Sequence, residues 1–225
     1  PIIKQKNNFS LRKFYNEIKK INYLIVSSDA EKEKFKLCYP IGEEKILVTG
    51  TPRNEFLVTS KNTPKAKYLK GYTILYAPTF RRSNKAVNVL PFNDLDLIQL
   101  NKFLEEKNAY LLIRKHHYEY YQKIEHMEKK WFNYNRIIDA GISKHADVQE
   151  LLLHTDCLVT DYSGIYIDFL LSKKPILFIP YDQEEYESKE GFLYNYNEVT
   201  PGKKVFSQEE FLKSIDSIFK KNNEN

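Results

Sequence analysis

The segment Cys157-Leu-Val-Thr-Asp-Tyr-Ser-Gly-Ile-Tyr-Ile-Asp168 joins a short apolar run to a helical apolar pattern through Thr160-Asp161-Tyr162-Ser163-Gly164. A turn of this composition gathers hydroxyls and backbone N–H groups at one point. The first turn of a helix leaves N–H donors unpaired and carries about half a positive charge, so a phosphate is its natural occupant. Ser163 stands where an N-cap would, and the plain alternative is that Ser163 and Asp161 only cap a helix. Four other apolar runs end in the same abrupt way: Ile46-Leu-Val-Thr-Gly-Thr-Pro-Arg-Asn54, Thr73-Ile-Leu-Tyr-Ala-Pro-Thr-Phe-Arg-Arg82, Tyr110-Leu-Leu-Ile-Arg-Lys-His-His117 and Pro175-Ile-Leu-Phe-Ile-Pro-Tyr-Asp182. In open α/β sheets ligands bind beyond the carboxyl ends of the strands, so these ends imply one shared rim. It would hold Arg53, Thr79, Arg81, Arg114, His116, Thr160, Asp161, Ser163 and Asp182. Such a set offers cations and hydroxyls for phosphate and an imidazole for proton transfer. No Asp-x-Asp or His-x-His cluster accompanies it, so no metal site and no cofactor are expected beyond a loosely held Mg2+.

Positioning such a rim requires alternating strands and helices. A basic amphipathic pattern opens the chain, with Leu11, Phe14, Ile18 and Ile21 at helical spacing. Strand 23–28, helix 29–37 and strand 46–48 then form a β-α-β unit. The polar, lysine-rich stretch 59–70 reads as a linker. Beyond it the pattern predicts strands at 72–77, 109–114, 135–138, 156–160 and 175–179. Helices are predicted at 93–107, 118–130, 146–154, 163–172 and 207–220. Alternation of this kind implies a doubly wound parallel sheet with helices on both faces. The long polar loop 81–91 could fold over a ligand.

Composition narrows the class. A chain of 225 residues with 42% hydrophobic side chains can bury a sizeable core, and 7 glycines with 9 prolines exclude a low-complexity chain. The 2 cysteines make no disulfide framework, and Cys157 reads as a small core residue. No apolar run is long enough to span a bilayer. The net charge of +5 arises from 35 basic against 30 acidic residues and is mostly solvated surface. Between Lys4 and Lys20 the basic residues face only Glu17, so that helix either lies on an anionic membrane or packs its apolar stripe on another domain. The many tyrosines lack a basic-aromatic alternation, and no nucleic-acid partner is expected.

In order, the chain shows G-T-P-R-N, L-Y-A-P-T-F-R, I-R-K-H, D-V-Q-E-L-L, V-T-D-Y-S-G, K-P-I-L-F with Y-D-Q-E-E-Y, and P-G at Pro201-Gly202. This series resembles the CDP-glycerol glycerophosphotransferase family, which makes teichoic acids and related capsule polymers on a GT-B architecture of two Rossmann-like halves. The resemblance covers about residues 22 to 206 and departs from the family in places. Gly164 stands where a second serine is usual, Arg114-Lys115-His116-His117 replaces a lysine-x-histidine-proline pattern, and Glu190 precedes Gly191 where an arginine is usual. The amino-terminal histidine-glycine-threonine-proline motif is missing, although Pro1-Ile-Ile-Lys4 matches its tail. Two Rossmann halves of roughly 150 to 200 residues each exceed this length, so the chain reads as the carboxyl-terminal part of a longer enzyme.

The resemblance implies a Rossmann-like α/β fold, the donor-binding half of a GT-B enzyme. Residues 1–62 would end the amino-terminal domain and 63–225 would bind the nucleotide. The reaction would move glycerol phosphate from CDP-glycerol to a polymer or lipid-linked acceptor, releasing CMP. His116 is the catalytic candidate, with His117 its competitor. Arg81, Thr79, Arg114, Thr160, Asp161, Ser163 and Gly164 are the donor-phosphate candidates. Backbone groups of Ala140 to Ser143 would read the cytosine, with Ser143 and Glu150 as contacts. Arg53 and Asp182 complete the rim. The enzyme would be cytoplasmic and peripheral on the inner membrane surface. The alternatives are a CDP-ribitol or nucleotide-sugar transferase of the same fold, or a non-catalytic nucleotide-binding module.

Overall fold

A computed structural model of the chain describes residues 8–60, 71–79, 89–115 and 131–223. Its residues group into two units, Pro1–Phe56 with Asp182–Val199, and Leu57–Tyr181 with Thr200–Asn225. The boundary expected at 62/63, the helix expected at 118–130 and most of loop 81–91 lie outside the described residues.

The first segment runs α1 (Asn8–Lys19), β1 (Leu24–Val26), α2 (Asp29–Cys38), β2 (Ile46–Val48) and α3 (Pro52–Thr59). Helix α2 starts where Ser28 Oγ accepts from Glu31 N–H, while the Glu31 carboxylate accepts from Ser27 N–H and Oγ; this is the reciprocal logic of a capping box. β1 and β2 pair in parallel, Leu24 opposite Ile46 and Val26 opposite Val48. On α1, Ile18 is buried and the Phe14 ring lies 5.8 Å from Tyr39, which stacks on Phe35 of α2. Part of the apolar stripe thus packs within its own unit. Among the described residues no helix is long and apolar enough to cross a membrane.

The second segment runs β3 (Tyr72–Tyr76), α4 (Leu97–Glu106), β4 (Ala109–Ile113), β5 (Ile137–Asp139), α5 (Val148–His154), β6 (Cys157–Thr160), α6 (Ile165–Phe169) and β7 (Ile176–Phe178). The chain then passes through α7 (Gln183–Lys189) and α8 (Tyr196–Val199) in the smaller unit and returns as β8 (Lys203–Lys204) and α9 (Gln208–Asn223). The six strands are ordered β5-β4-β3-β6-β7-β8, and every neighbouring pair is parallel. Counted from β3 this is the strand order of dinucleotide-binding folds, in which the direction of winding reverses between the first and fourth strands. The doubly wound parallel α/β sheet expected from the alternation is present.

Burial explains the apolar runs. Ile74, Leu111, Leu112, Leu158 and Val159 are wholly enclosed, as strands covered on both faces must be. Leu100 and Leu104 of α4 and Phe211 and Ile215 of α9 are equally enclosed, each worth about 1.5–3 kcal/mol of burial. Asp96 sets the start of α4 by accepting from Ile98 N–H and Gln99 N–H. The last strand needs Pro201-Gly202: a Cβ on Gly202 would lie 2.1 Å from the Ile176 carbonyl oxygen. Cys157 lies in this core, and burial pushes its thiol pKa up.

Candidate functional site

At the reversal point two loops leave adjacent strands. The ladder first runs one residue past β3, where Ala77 N–H donates to Val159 O at 2.9 Å. Thr160, with no exposed surface, donates its hydroxyl back to Ala77 O at 2.7 Å. Asp161 is 1% exposed, and its Oδ1 accepts from Thr79 N–H and Thr79 Oγ1, both at 2.7 Å, and from Tyr162 N–H at 2.6 Å. One carboxylate therefore ties the β3 loop to the β6 loop. Thr79, Thr160 and Asp161, three of the donor-phosphate candidates, lie together, with the Thr160 hydroxyl and the Asp161 carboxylate bonded to the β3 loop. A carboxylate facing a phosphate would repel it, whereas one accepting three hydrogen bonds orders the backbone around it.

Ser163 and Gly164 follow directly. Ser163 Oγ accepts from Ile165 N–H at 3.5 Å, a long bond, and the helix is capped one residue later, at Gly164, with no side-chain cap bond, so Ser163 is not the N-cap expected from the sequence. Helix α6 has five residues and continues as a 3₁₀ turn over Leu170–Ser172. Its dipole belongs at the low end of the range for helix termini. Gly164 has φ −61, and a Cβ there would meet nothing within 4 Å. The serine usual in the family would fit this position.

The next pair of strand ends is held by Arg114. Its Nη1 donates to Ala140 O at 3.0 Å and His145 O at 2.5 Å, and Nη2 donates to Ala146 O at 3.4 Å. Burial lowers the guanidinium pKa, and the Asp147 carboxylate acts against that. Arg114, a donor-phosphate candidate, binds β4 to the loop that follows β5 through these bonds. In that loop Asp139 accepts from Gly141 N–H at 2.9 Å and pairs with Lys144 at 3.3 Å. Gly141 O accepts from Lys144 N–H and His145 N–H. Ser143 and Glu150, the expected cytidine contacts, are both exposed, Ser143 on the loop and Glu150 in the first turn of α5. Burial lowers the His145 pKa, Glu150 opposing and Arg114 reinforcing the effect.

Arg53 lies in α3 and Asp182 precedes α7, both in the smaller unit. Lys189, the cation next to Glu190 in the chain, is ion-paired with Glu185. Arg81, His116 and His117 lie outside the described residues. Sequence reasoning missed Gln149, which is buried on α5 and donates to Asp168 at 3.5 Å while its Oε1 has no partner among the described residues. Its signal was its position three residues before Leu152, on the inward face of the helix.

A six-stranded parallel sheet in this order, with a hydroxyl-bearing turn at its reversal point, defines an α/β protein of the Rossmann-like, GT-B type. The model of the CDP-glycerol:poly(glycerophosphate) glycerophosphotransferase family matches residues 2–225, and the chain belongs to that family. It is 34% identical to a teichoic acid poly(glycerol phosphate) polymerase of Bacillus spizizenii, over 91% of this chain and 52% of the relative. It is 28% identical to the teichoic acid ribitol-phosphate polymerase TarK of Staphylococcus aureus, over 96% of this chain and 41% of the relative. Among solved structures it resembles the wall teichoic acid polymerase TagF, in a histidine-to-asparagine variant soaked with CDPG. There the TM-score is 0.74 and the identity 30%, over 93% of this chain and 52% of that one. The chain spans about half the length of these relatives.

Proposed function

We propose that this chain is the donor-binding part of a glycerophosphotransferase that uses CDP-glycerol and extends a teichoic-acid-like or capsular polymer. The observation that carries the reading is the coincidence of the Thr160–Gly164 turn with the reversal point of the sheet, in a chain of this family. A pyrophosphate seated there would meet Ser163 Oγ and the Gly164 N–H, with Thr79 holding the neighbouring loop through Asp161 and Arg81 the cationic candidate from the sequence. Charge-assisted hydrogen bonds of this kind contribute about 1.5–3 kcal/mol each.

In the reaction an acceptor hydroxyl attacks the β-phosphorus of CDP-glycerol. The bond from that phosphorus to the bridging oxygen breaks, and CMP leaves with the electron pair. The hydroxyl proton passes to a base. His116 is the donor-side candidate for proton transfer or for a hydrogen bond to phosphate, a role worth about 10² to 10⁴-fold. Cationic and N–H groups at the crevice would carry the developing charge, and a loosely held Mg2+ is compatible with them. The acceptor is a glycerol-phosphate polymer or its lipid-linked primer, which puts the full-length enzyme at the cytoplasmic face of the membrane.

The ribitol-phosphate relative keeps a second donor in view, because a longer polyol would use the same crevice for its phosphates. Incubating the full-length protein with radiolabelled CDP-glycerol or CDP-ribitol and a lipid-linked primer separates them. Polymer from CDP-glycerol and CMP release in equal amount are expected; label incorporated only from CDP-ribitol would transfer the reading to that donor. No incorporation from either, with nucleotide still bound, would leave the non-catalytic module.

A further inference from the structure

Two helices flank the strand that carries the Thr160–Gly164 turn: α5 leads into β6 and α6 leads out of it. Both begin at the carboxyl rim of the sheet, and helical side chains lean toward the start of their helix. Gln149, in the first turn of α5, and Asp168, late in the first turn of α6, therefore converge beneath that rim, 7% and 6% exposed. Gln149 Nε2 donates to Asp168 Oδ2 at 3.5 Å, so an amide and a carboxylate bridge the two helices inside the protein. The carboxylate fixes which end of the amide faces it, because an oxygen turned that way would be repelled. That leaves Gln149 Oε1 enclosed and without a partner among the described residues. An enclosed acceptor of this kind costs stability, and apolar side chains of similar size would fill the place without that cost, so stability alone does not account for the pair.

Local bonds hold the first turn of α6 weakly. The helix is five residues long, Gly164 caps it without a side-chain bond, and the Ser163 Oγ bond to Ile165 N–H is 3.5 Å. Tyr166, edge-on to Phe178 of β7 at 5.3 Å, seats the helix against the sheet. Apolar burial resists separation from the sheet more than sliding along it, and a directed bond to α5 supplies the missing register. We infer that Gln149 is a positioning residue for the donor-phosphate turn: through Asp168 it fixes the start of α6, and with it Ser163 Oγ and the Gly164 N–H, where a pyrophosphate would meet them. This rests on the donor reading above. Contacts placed in this way serve the bound donor in ground and transition states alike, so their loss raises KM and spares kcat. Gln149→Glu keeps the shape but sets two carboxylates face to face. Exchanging the groups, an acid at 149 with an amide at 168, restores a donor–acceptor bond at the same net charge.

The test measures steady-state CDP-glycerol kinetics on a lipid-linked primer, and a thermal melt, for the full-length protein, its Gln149→Met and Gln149→Glu variants and the exchange Gln149→Glu with Asp168→Asn. Each single variant should raise KM for CDP-glycerol about tenfold, the size of one hydrogen bond to a charged group, with kcat within about threefold of the wild type. The exchange should bring KM back to within about threefold, a recovery that general loosening of the fold would not produce. Gln149→Met supplies the single-variant result if Gln149→Glu does not fold. Single variants that melt earlier with KM unchanged would make the pair structural only and overturn the inference. A fall in kcat at constant KM, or an exchange that leaves KM raised or the chain unfolded, would overturn it as well. A wild type that does not turn over CDP-glycerol would instead remove the donor reading itself, and the inference with it.

Discussion

Asp161 organises more than it contacts, because one buried oxygen accepts from Thr79 N–H, Thr79 Oγ1 and Tyr162 N–H. Asp161→Ala would leave those donors without an acceptor in a place water scarcely reaches, and a loss of about 2–4 kcal/mol in denaturant unfolding is expected. Asp161→Asn keeps one acceptor oxygen and should cost less than half of that. At Gly164 the opposite sign is expected. Its φ of −61 suits any L residue and the space is open, so Gly164→Ser should raise stability by about 0.4–1 kcal/mol, read from the melting midpoint. His145 gives a pH dependence. Burial lowers its folded pKa, so the folded state binds protons less readily than the unfolded one. Its contribution is therefore fully present above the unfolded histidine pKa of about 6.5 and is lost as pH falls from there through the lower folded pKa. Stability measured between about pH 5 and 8 should decline on the acid side, and His145→Gln should flatten that decline. A profile identical in wild type and variant would remove the effect.

At the scale of elements, the sheet was legible because its strands are continuous apolar runs, a pattern that only double-sided burial produces. The ends were less so. Helix α4 starts at Leu97 and not near 93 because Asp96 caps it, and α5 starts at Val148 because Asp147 accepts from Gln149 N–H. Strand β8 is Lys203–Lys204, with no apolar signal at all, and it forms because Gly202 lets the backbone close on Ile176. Helices α3, α7 and α8 are not evident in the sequence because their residues read as motif or loop, although Pro52 at the first position of α3 is a start signal. The site divided in the same way. Which residues gather at the reversal point followed from strand ends, but what each one does depended on partners far away in sequence, such as Arg114 with the carbonyls at 140–146. Gly202→Ala tests the closing strand: with a Cβ 2.1 Å from the Ile176 carbonyl oxygen, the edge must shift, and a cost of about 2 kcal/mol or more in chemical denaturation is expected.

For the whole molecule, the smaller unit is assembled from two separate stretches of chain. The Tyr194 ring carries the Lys34 ammonium 4.9 Å from its centroid and its hydroxyl donates to Ala30 O, so 182–199 is bound to α2. Within that stretch Tyr186, Phe192 and Tyr196 stack in series at 5.4 and 5.3 Å. A fragment of residues 63–225 would keep the sheet but deprive this stretch of its partner. Limited proteolysis of that fragment, followed by mass spectrometry, should cut first between 182 and 199 and leave β3–β7 protected. Initial cleavage inside the sheet instead would show that the larger unit depends on the first 62 residues for its own stability.

The return of residues 182–199 to the smaller unit also constrains heredity. If two relatives exchanged their nucleotide-binding halves by a single recombination event near residue 60, each hybrid would inherit an α2 from one parent and the aromatic stretch that packs on it from the other. A workable exchange needs three crossovers, around 56/57, 181/182 and 199/200, so donor preference would change more readily by substitution at the crevice than by swapping modules.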